Sequence, residues 1–363
     1  MKRLLCALAL GLCAAPAARA EGLALSAAVD RSEVPVGGSV TVTVRLENKG
    51  SEPVELPELA LDRQLVSLEV QLDDGRRSFF ERIHPSPYNL RATWPKKTLA
   101  PGETWQLQED LPAIAKGTLK ITAHYGRWAE EYRRLHEEAE QALADDPENA
   151  GLKEKLAAVE RQRGVGELPH LVAKPVSVKI VPYEGHDAVS VRMLTSMGPV
   201  RFRLFAKEAP ATCMHFVKLI REGGEVKGKH RQPFYRGLTF HRVISGFMIQ
   251  GGCPQGNGLG GPGYAIPAEL AAKDAEGKVP EKLRHVTGRL SMARSSHYDS
   301  AGSQFFVCVA DSPNLDGEYT VFGEVARGLD VILSIAEVPT GAKDKPLEDV
   351  TIEYMEVLPD VAG

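Results

Sequence analysis

The sequence predicts a mainly β protein in which a β-sandwich is followed by a second β domain flanked by two helices. Three observations lead to this prediction. Apolar and polar residues alternate with period two through residues 23–125. A segment with helical spacing, residues 127–164, interrupts that alternation, which resumes at residues 176–180. Beyond residue 188, short strand-like runs dominate and two helical segments accompany them.

The N-terminal alternation predicts antiparallel strands. Val40, Val42, Val44 and Leu46 alternate with polar residues, and the pattern recurs at 66–72 and 119–124. One apolar face per strand is typical of antiparallel sheets that are covered on one side. Turn signals such as Val36-Gly37-Gly38 separate the runs. Short strands at this spacing predict an immunoglobulin-like β-sandwich, and without a cysteine in residues 23–125 its core has no disulfide between sheets.

The segment 127–164 has the spacing of two short helices. Its first helix carries an apolar stripe formed by Trp128, Tyr132, Leu135, Ala139 and Ala142. Asp146 and Pro147 then supply an N-cap and a first-turn proline for the second helix. We interpret the segment as a helical hairpin inserted before the last strand of the sandwich. A charge-rich pair of this kind is more often a solvated insert than a docking site.

The first twenty residues have the pattern of a secretory signal peptide. A basic start precedes an apolar run, Leu4–Ala15, and Ala18-Arg19-Ala20 follows as a small-x-small cleavage motif. Twelve apolar residues are too few to span a bilayer, which disfavours a retained anchor. The sequence therefore predicts export to the periplasm or beyond. The expected boundaries are 1–20 for the signal peptide, 21–184 for the sandwich and 187–360 for the second domain.

Charge and cysteine content disfavour several classes of partner. Cleavage at residue 20 removes three basic residues and no acid, which changes the formal net charge from −4 to −7. No basic stripe invites nucleic acid. Cys213, Cys253 and Cys308 remain, an odd number without metal-ligand spacing, so we expect no structural zinc. Cys213 and Cys308 are interpreted as small buried apolar side chains.

The most informative run is Phe240–Gly252. Arg242 and Gln250 stand near the ends of an apolar stretch that contains Phe247 and Met248. A guanidinium and an amide can then project over an apolar surface, which suits a proline ring and its amide. Further motifs follow in order at Gly256–Gly261, Leu290–Arg294, Gly302–Phe306 and Leu315–Gly323. Together these motifs resemble the cyclophilin family of peptidyl-prolyl cis/trans isomerases over about residues 188–358. Within that family they are more similar to the bacterial members.

The resemblance implies a closed β-barrel capped by two helices and an enzyme that rotates X–Pro bonds without a cofactor. It assigns catalysis to Arg242, with Gln250 and Phe247, and predicts no proton transfer for His241. Proline-containing polypeptides are the implied partners. The substrate-binding positions that it implies are Met248, Ala293, the main chain of Arg294, Gln304, Phe306, Leu315 and Tyr319.

Three positions depart from the best-known eukaryotic pattern of the family. Arg294 stands where asparagine is common, Tyr319 where histidine is usual, and Asn314 where tryptophan is usual. The last two changes predict weak binding of cyclosporin. A second hypothesis is a binding module that grips proline peptides without useful turnover, with the sandwich as the main recognition unit. The sandwich could also be a substrate-holding arm, an attachment module or a spacer, and a protein partner for it stays open.

Overall fold

The computed structural model of the chain describes residues 22–57, 66–73, 77–80, 96–160, 169–182 and 188–360. The signal peptide predicted at 1–20 lies outside these residues, as do residues 183–187 at the predicted boundary between the two domains. Within the described ranges, no helix combines the length and apolar character needed to cross a bilayer.

The described part of the N-terminal half is built from strands and one pair of helices. In chain order the strands are β1 (Leu23–Val29), β2 (Glu33–Pro35), β3 (Ser39–Asn48), β4 (Val54–Pro57), β5 (Val66–Gln71), β6 (Arg77–Phe80), β7 (Lys96–Leu99), β8 (Thr104–Pro112), β9 (Gly117–Tyr125), β10 (Leu171–Val172) and β11 (Val176–Val181). The helices α1 (Trp128–Asp145) and α2 (Ala150–Glu160) separate β9 from β10.

These strands form two main sheets that share one core. One sheet has the order β1-β3-β8 and the other the order β2-β11-β9-β5-β6, with β10 also paired to β9. The short strands β4 and β7 pair with each other. The alternating valines of β3 are all buried in the common core, as period two requires. The immunoglobulin-like class of these sheets stays a prediction.

Strand β11 completes the second sheet after the helical interruption. It pairs antiparallel with β9, where Val178 faces Leu119, and parallel with β2, where Ile180 faces Val34. The expectation that the alternation at residues 176–180 returns to the N-terminal sheets is therefore confirmed.

The two helices have the predicted position, but the predicted cap is wrong. Asp146 ends α1, and its N–H donates to Ala142 O at 3.2 Å. Asn149 caps α2 instead, because its Oδ1 accepts from the N–H groups of Gly151 and Leu152 at 3.0 and 3.2 Å. The Asp-Pro signal thus lies in the turn between the helices. Residues 161–164 of the predicted hairpin lie outside the described residues.

The C-terminal half is dominated by one long sheet. Its elements are β12 (Ala188–Thr195), β13 (Gly198–Leu204), α3 (Pro210–Glu222), β14 (Gly224–Val226), β15 (Lys229–Arg231), β16 (Leu238–Thr239), β17 (Arg242–Ile244), β18 (Met248–Gly251), β19 (Arg289–Met292), β20 (Phe305–Cys308), β21 (Val321–Arg327), α4 (Leu329–Ala336) and β22 (Thr351–Asp360). Nine strands follow the order β16-β22-β12-β13-β21-β19-β20-β18-β17, and β14 pairs with β15 alone.

The expectation of a closed barrel is wrong. The structure has a curled sheet whose two edge strands, β16 and β17, form no ladder with each other within residues 188–360. They are nevertheless neighbours in the chain, joined only by Phe240 and His241. Two residues cannot span a flat nine-stranded sheet, because neighbouring strands lie about 4.8 Å apart. The sheet must therefore curl until its edges meet at this junction. The two helices of this half, α3 and α4, pack against it.

The two halves contact each other through α3. This helix packs against β6 and β8, and Lys218 on it places its Nζ 2.7 Å from Glu109 Oε1 and 3.2 Å from Asp110 O. Both side chains of the Lys218–Glu109 pair are less than a tenth exposed. Beside this contact, Val189 N–H donates to Ile114 O at 2.9 Å. Apolar residues of both halves belong to one continuous cluster.

Candidate active site

The period of two in β17–β20 separates a core face from an outer face. Val243, Ile249, Phe305 and Val307 join the main core. The residues between them point the other way, and the register aligns them across the strands. Arg242 pairs with Gln250, and Gln250 pairs in turn with Phe306. The alternation therefore places an arginine, an amide and an aromatic ring side by side on one face.

A second apolar cluster lies on this outer face, apart from the main core. Met248, Phe306 and Cys308 are its buried floor. The partly buried residues packed against them are Ile244, Phe247, Ala293, Leu315 and Tyr319. We call this cluster the apolar pocket. Its separation from the main core argues against Phe247, Met248 and Phe306 being plain barrel core.

The polar edge of the pocket is a chain of amide contacts. Gln250 Nε2 donates to Gln304 Oε1 at 3.0 Å, and Gln304 Nε2 donates to the carbonyls of Gly258 and Gly260, both at 2.8 Å. Gly252 lets its strand lie close to the backbone just before Gln304. Its φ is +83°, and a Cβ there would lie 2.4 Å from Ser303 O. The two glutamines are thus oriented by the backbone around them.

Arg242 lies at the other edge and has an acidic partner. Its Nε is 3.3 Å from Asp344 Oδ2, and the two side chains are 44% and 47% exposed. Asp344 and its neighbour Lys343 both have left-handed backbones, with φ of +59° and +60°. Such conformations are unfavourable for residues with a Cβ. A short strained turn therefore presents the carboxylate to the guanidinium.

A buried histidine supports Phe306 from behind. The rings of His285 and Phe306 stack with centroids 5.9 Å apart and an interplanar angle of 12°. His285 Nδ1 lies 3.0 Å from Asp316 Oδ1 and its Nε2 lies 3.1 Å from Ser291 Oγ. Burial lowers the pKa of His285, although the Asp316 carboxylate acts in the opposite direction. The ring is a fixed wall for the pocket.

The rim contains a locked arginine. The Arg294 guanidinium lies 4.3 Å from the ring centroid of Tyr298 and 4.5 Å from that of Tyr319. Its Nε donates to Glu318 O at 2.9 Å. Tyr319 in turn meets Phe306 edge to face at 5.6 Å. The side chain of Arg294 is thus engaged at the rim, and the role of its main chain stays a prediction.

The structure brings together all ten site residues that the sequence predicted. Six belong to the apolar pocket, and Gln250, Gln304 and Arg242 border it. Arg294 joins through Tyr319. Asn314 lies in the short turn Pro313–Leu315, next to a pocket residue. His241 is buried, and burial lowers its pKa, which fits a structural histidine.

Sequence reasoning missed His285, Ser291 and Asp344, and it did not assign Cys308 to the site. Cys308 is a buried free thiol, as predicted, and burial raises its pKa to about 12. The sequence contains one sign of the His285 contact: this histidine stands six residues before Ser291, a serine within an apolar strand. Nothing near Arg242 in the sequence pointed to Asp344.

Comparison with known proteins identifies the family of the C-terminal half. The family described as cyclophilin type peptidyl-prolyl cis-trans isomerase matches residues 190–357. A peptidyl-prolyl cis-trans isomerase of Helicobacter pylori is 46% identical over 145 residues, which are 39% of this chain and 77% of the relative. One from Synechococcus elongatus is 45% identical over 130 residues, 36% of this chain and 75% of the relative. The chain belongs to the cyclophilin-type family of peptidyl-prolyl cis-trans isomerases.

The human peptidyl-prolyl cis-trans isomerase-like 1 is also similar, at 37% identity over 173 residues, 47% of this chain and 94% of that protein. The activity is therefore rotation about X–Pro peptide bonds, and the matched span contains all ten site residues. The family match begins at residue 190 and leaves the N-terminal sheets without an identified family. The predicted activity is confirmed for the cyclophilin domain.

Proposed function

We propose that this cyclophilin is exported and isomerises X–Pro bonds of other exported proteins, which assists their folding. The observation that carries the catalytic part is Arg242 beside an apolar pocket on the outer face of the sheet. Export rests on the signal-peptide pattern of residues 1–20. Uncatalysed X–Pro isomerisation takes about tens to hundreds of seconds, so it can limit folding.

Rotation about the amide requires no bond cleavage. The barrier of about 18–20 kcal/mol comes from the double-bond character of the C–N bond. As the amide twists, the imide nitrogen becomes pyramidal and its lone pair localises. A fixed donor aimed at that nitrogen binds the twisted state more strongly than either planar state. Arg242 is that donor in this proposal.

The other site residues hold the substrate in place. The proline ring enters the apolar pocket, where Met248, Phe306 and Leu315 surround it. Gln250 binds the substrate backbone. Its amide is held in place by Gln304, whose Oε1 lies 3.0 Å from Gln250 Nε2. The Nε of Arg242 is occupied by Asp344, which leaves the terminal nitrogens of the guanidinium for the imide. The main chain of Arg294 pairs with the peptide along the rim, and Ala293 lies beside the peptide.

The N-terminal sheets are proposed to form an immunoglobulin-like sandwich that holds client chains or a protein partner near the isomerase. Its support is the buried contact through Lys218, which fixes the sheets against the cyclophilin domain. A freely tethered spacer would not need such a contact.

The first experiment separates an isomerase from a module that only grips proline peptides. We expect the full chain to accelerate cis/trans exchange in a proline tetrapeptide and the refolding of a protein limited by X–Pro isomerisation. Tight peptide binding without faster exchange would favour the gripping module. Export is tested by fractionating cells that express the full sequence. We expect a mature protein beginning at Glu21 outside the cytoplasm, and retention of residues 1–20 in the cytoplasmic fraction would contradict export.

A further inference from the structure

The hairpin β14–β15 bears a basic pocket that the isomerase site does not use. The pocket has a volume of about 530 Å³. Its lining includes Val226, Lys229, His230, Arg231, Pro233 and Arg236, with three permanent cations and no acid. The whole chain carries a formal net charge of −4, so this pocket is a local positive region on an acidic molecule.

The shape of the pocket is held by hydrogen bonds within the chain. Arg231 Nε donates to Phe234 O at 2.7 Å, and another guanidinium nitrogen donates to Arg236 O. Gln232 Nε2 donates to Arg221 O at 2.7 Å. Gly223 allows the hairpin to turn tightly after α3, because its φ is +84° and a Cβ there would lie 2.2 Å from Arg231 O. These contacts hold the Arg231 and Gln232 side chains in place around the pocket.

Two of its cations are available to an external anion. Lys229 and Arg236 are exposed, and neither forms an ion pair with a carboxylate in the described part of the chain. The neighbouring Glu222 is engaged by Lys218 at 2.7 Å. Glu225, the acid on the hairpin itself, lies opposite His230 in the register. The positive charges of Lys229 and Arg236 are thus not neutralised by a carboxylate in the described part of the chain.

The surroundings of the pocket favour a polypeptide partner over a lipid. The exposed large apolar residues of the described chain all lie outside residues 224–236, so the hairpin itself offers an acyl chain only Val226 and Pro233 beside the cations. The hairpin also adjoins residues 260–263, which reach the polar edge of the apolar pocket. A Cβ on Gly263 would lie 3.6 Å from Glu225 O, and the carbonyl of Gly260, three residues earlier, accepts from Gln304.

We propose that this basic pocket binds carboxylates in an acidic segment of the same polypeptide whose proline occupies the isomerase groove. The inference rests on the proposed function, because it supplies a second contact for that substrate. The pocket then favours clients with glutamates or aspartates near the proline. Exposed ion pairs are individually weak, so two of them are expected to add about five- to tenfold at low salt. This preference should fade as ionic strength rises.

The test uses the full chain and peptides with one proline core. One set has four glutamates on either side of the core, and the matched set has four glutamines. We expect kcat/KM to be about five- to tenfold higher for the glutamate peptides. The double variant Lys229→Gln/Arg236→Gln should lose this preference and keep the wild-type rate on the glutamine peptides. The control variant Lys120→Gln/Lys174→Gln removes two exposed lysines of the N-terminal sheets and should keep the preference.

Equal rates on both peptide sets, or a preference that survives in the double variant, would overturn the proposal. Calorimetry with an acidic peptide that lacks proline tests the pocket independently of turnover. Binding that the double variant abolishes supports the pocket even if no proline peptide is isomerised, and in that case only the proposed function fails. Binding of wild type, but not of the double variant, to phosphatidylglycerol vesicles without binding of acidic peptide would assign the pocket to a membrane surface and overturn the inference.

Discussion

At the scale of residues, the site depends on partners that come from distant parts of the chain. Arg242, Phe247, Met248 and Gln250 share one run, so the sequence alone could group them. Asp344 is 102 residues from Arg242, and Asp316 is 31 residues from His285. Such contacts depend on how strands and turns are arranged in space, and no local pattern encodes them. The sequence therefore grouped the residues that are proposed to face the substrate, together with Gln304 that holds Gln250, and missed Asp344 and Asp316.

The pair formed by Arg242 and Asp344 leads to a first prediction. Asp344→Gly removes the carboxylate and also relieves the left-handed backbone at φ +59°. We expect kcat/KM to fall about two- to fivefold, because an exposed pair is worth less than about 1 kcal/mol. The melting temperature should stay equal or rise slightly. The matched control is Lys343→Gly, which relieves the same strain at φ +60° and keeps the carboxylate. If both variants retain full activity, Asp344 does not orient Arg242.

His285 leads to a prediction about pH. Burial lowers its pKa, so the folded state binds this proton less readily than the unfolded state does. Its contribution is complete above the unfolded pKa of about 6.5 and is lost as pH falls through that value toward the folded one. Desolvation raises the pKa of the partly buried Glu269, which acts in the opposite direction, so the variant is compared with wild type. We expect His285→Gln to lose fewer degrees of melting temperature than wild type between pH 7.5 and 5. Equal losses would show that His285 does not contribute.

At the scale of elements, alternation in the sequence predicted strands well because each strand buries one face. The same reasoning explains the pocket, since Val243 and Ile249 face the core while Arg242 and Gln250 face outward. Two details could not be predicted. The cap of α2 is Asn149, because Asp146 finishes α1 and both residues are good capping types. The prediction of a closed barrel was wrong because the edge strands β16 and β17 are only two and three residues long. They form no ladder with each other within residues 188–360.

The position of β11 between β2 and β9 leads to a prediction about chain length. A chain that ends at Gly126 lacks this strand and leaves β9 with an open edge. We expect it to aggregate or to melt without cooperativity. Replacing residues 128–160 by a glycine-serine linker in the full chain should cost little stability, because α1 packs mainly on α2 and loop length enters only logarithmically. Thermal melts compare the two proteins with wild type. A soluble, cooperative fold for the chain ending at Gly126 would show that β11 is dispensable.

At the scale of the whole molecule, the two halves are connected by more than a linker. Glu109 and Lys218 form a contact at 2.7 Å that is nearly excluded from solvent. Glu269 on the cyclophilin side accepts from the N–H groups of Ala211 and Thr212 at the start of α3, the helix that carries Lys218. The sequence suggested two domains from a change in pattern. It could not suggest this contact, because charged residues on predicted surfaces are normally solvated.

The buried pair leads to a prediction about stability. Glu109→Ala leaves Lys218 without one of its two carboxylate partners, and Glu222 still compensates part of the charge. We expect a loss of about 2 kcal/mol, seen as a melting temperature lower by about 4–8 °C. The control is Glu47→Ala, which breaks an exposed contact with Lys49 at 3.6 Å and should change the melting temperature by about 1 °C or less. Equal effects of the two substitutions would mean that the contact between the halves contributes nothing.

The proposed role of Arg242 is to stabilise the twisted X–Pro amide above the apolar pocket. Its most direct test is kcat/KM for a proline tetrapeptide, measured for wild type, Arg242→Ala and the control Arg327→Ala, an exposed arginine at the end of β21. We predict a loss of about two to three orders of magnitude for Arg242→Ala, as expected for one preorganised donor. Its melting temperature should stay close to wild type, because the side chain is 44% exposed. Arg327→Ala should retain full activity. Activity of Arg242→Ala within about twofold of wild type would show that Arg242 does not stabilise the twisted amide.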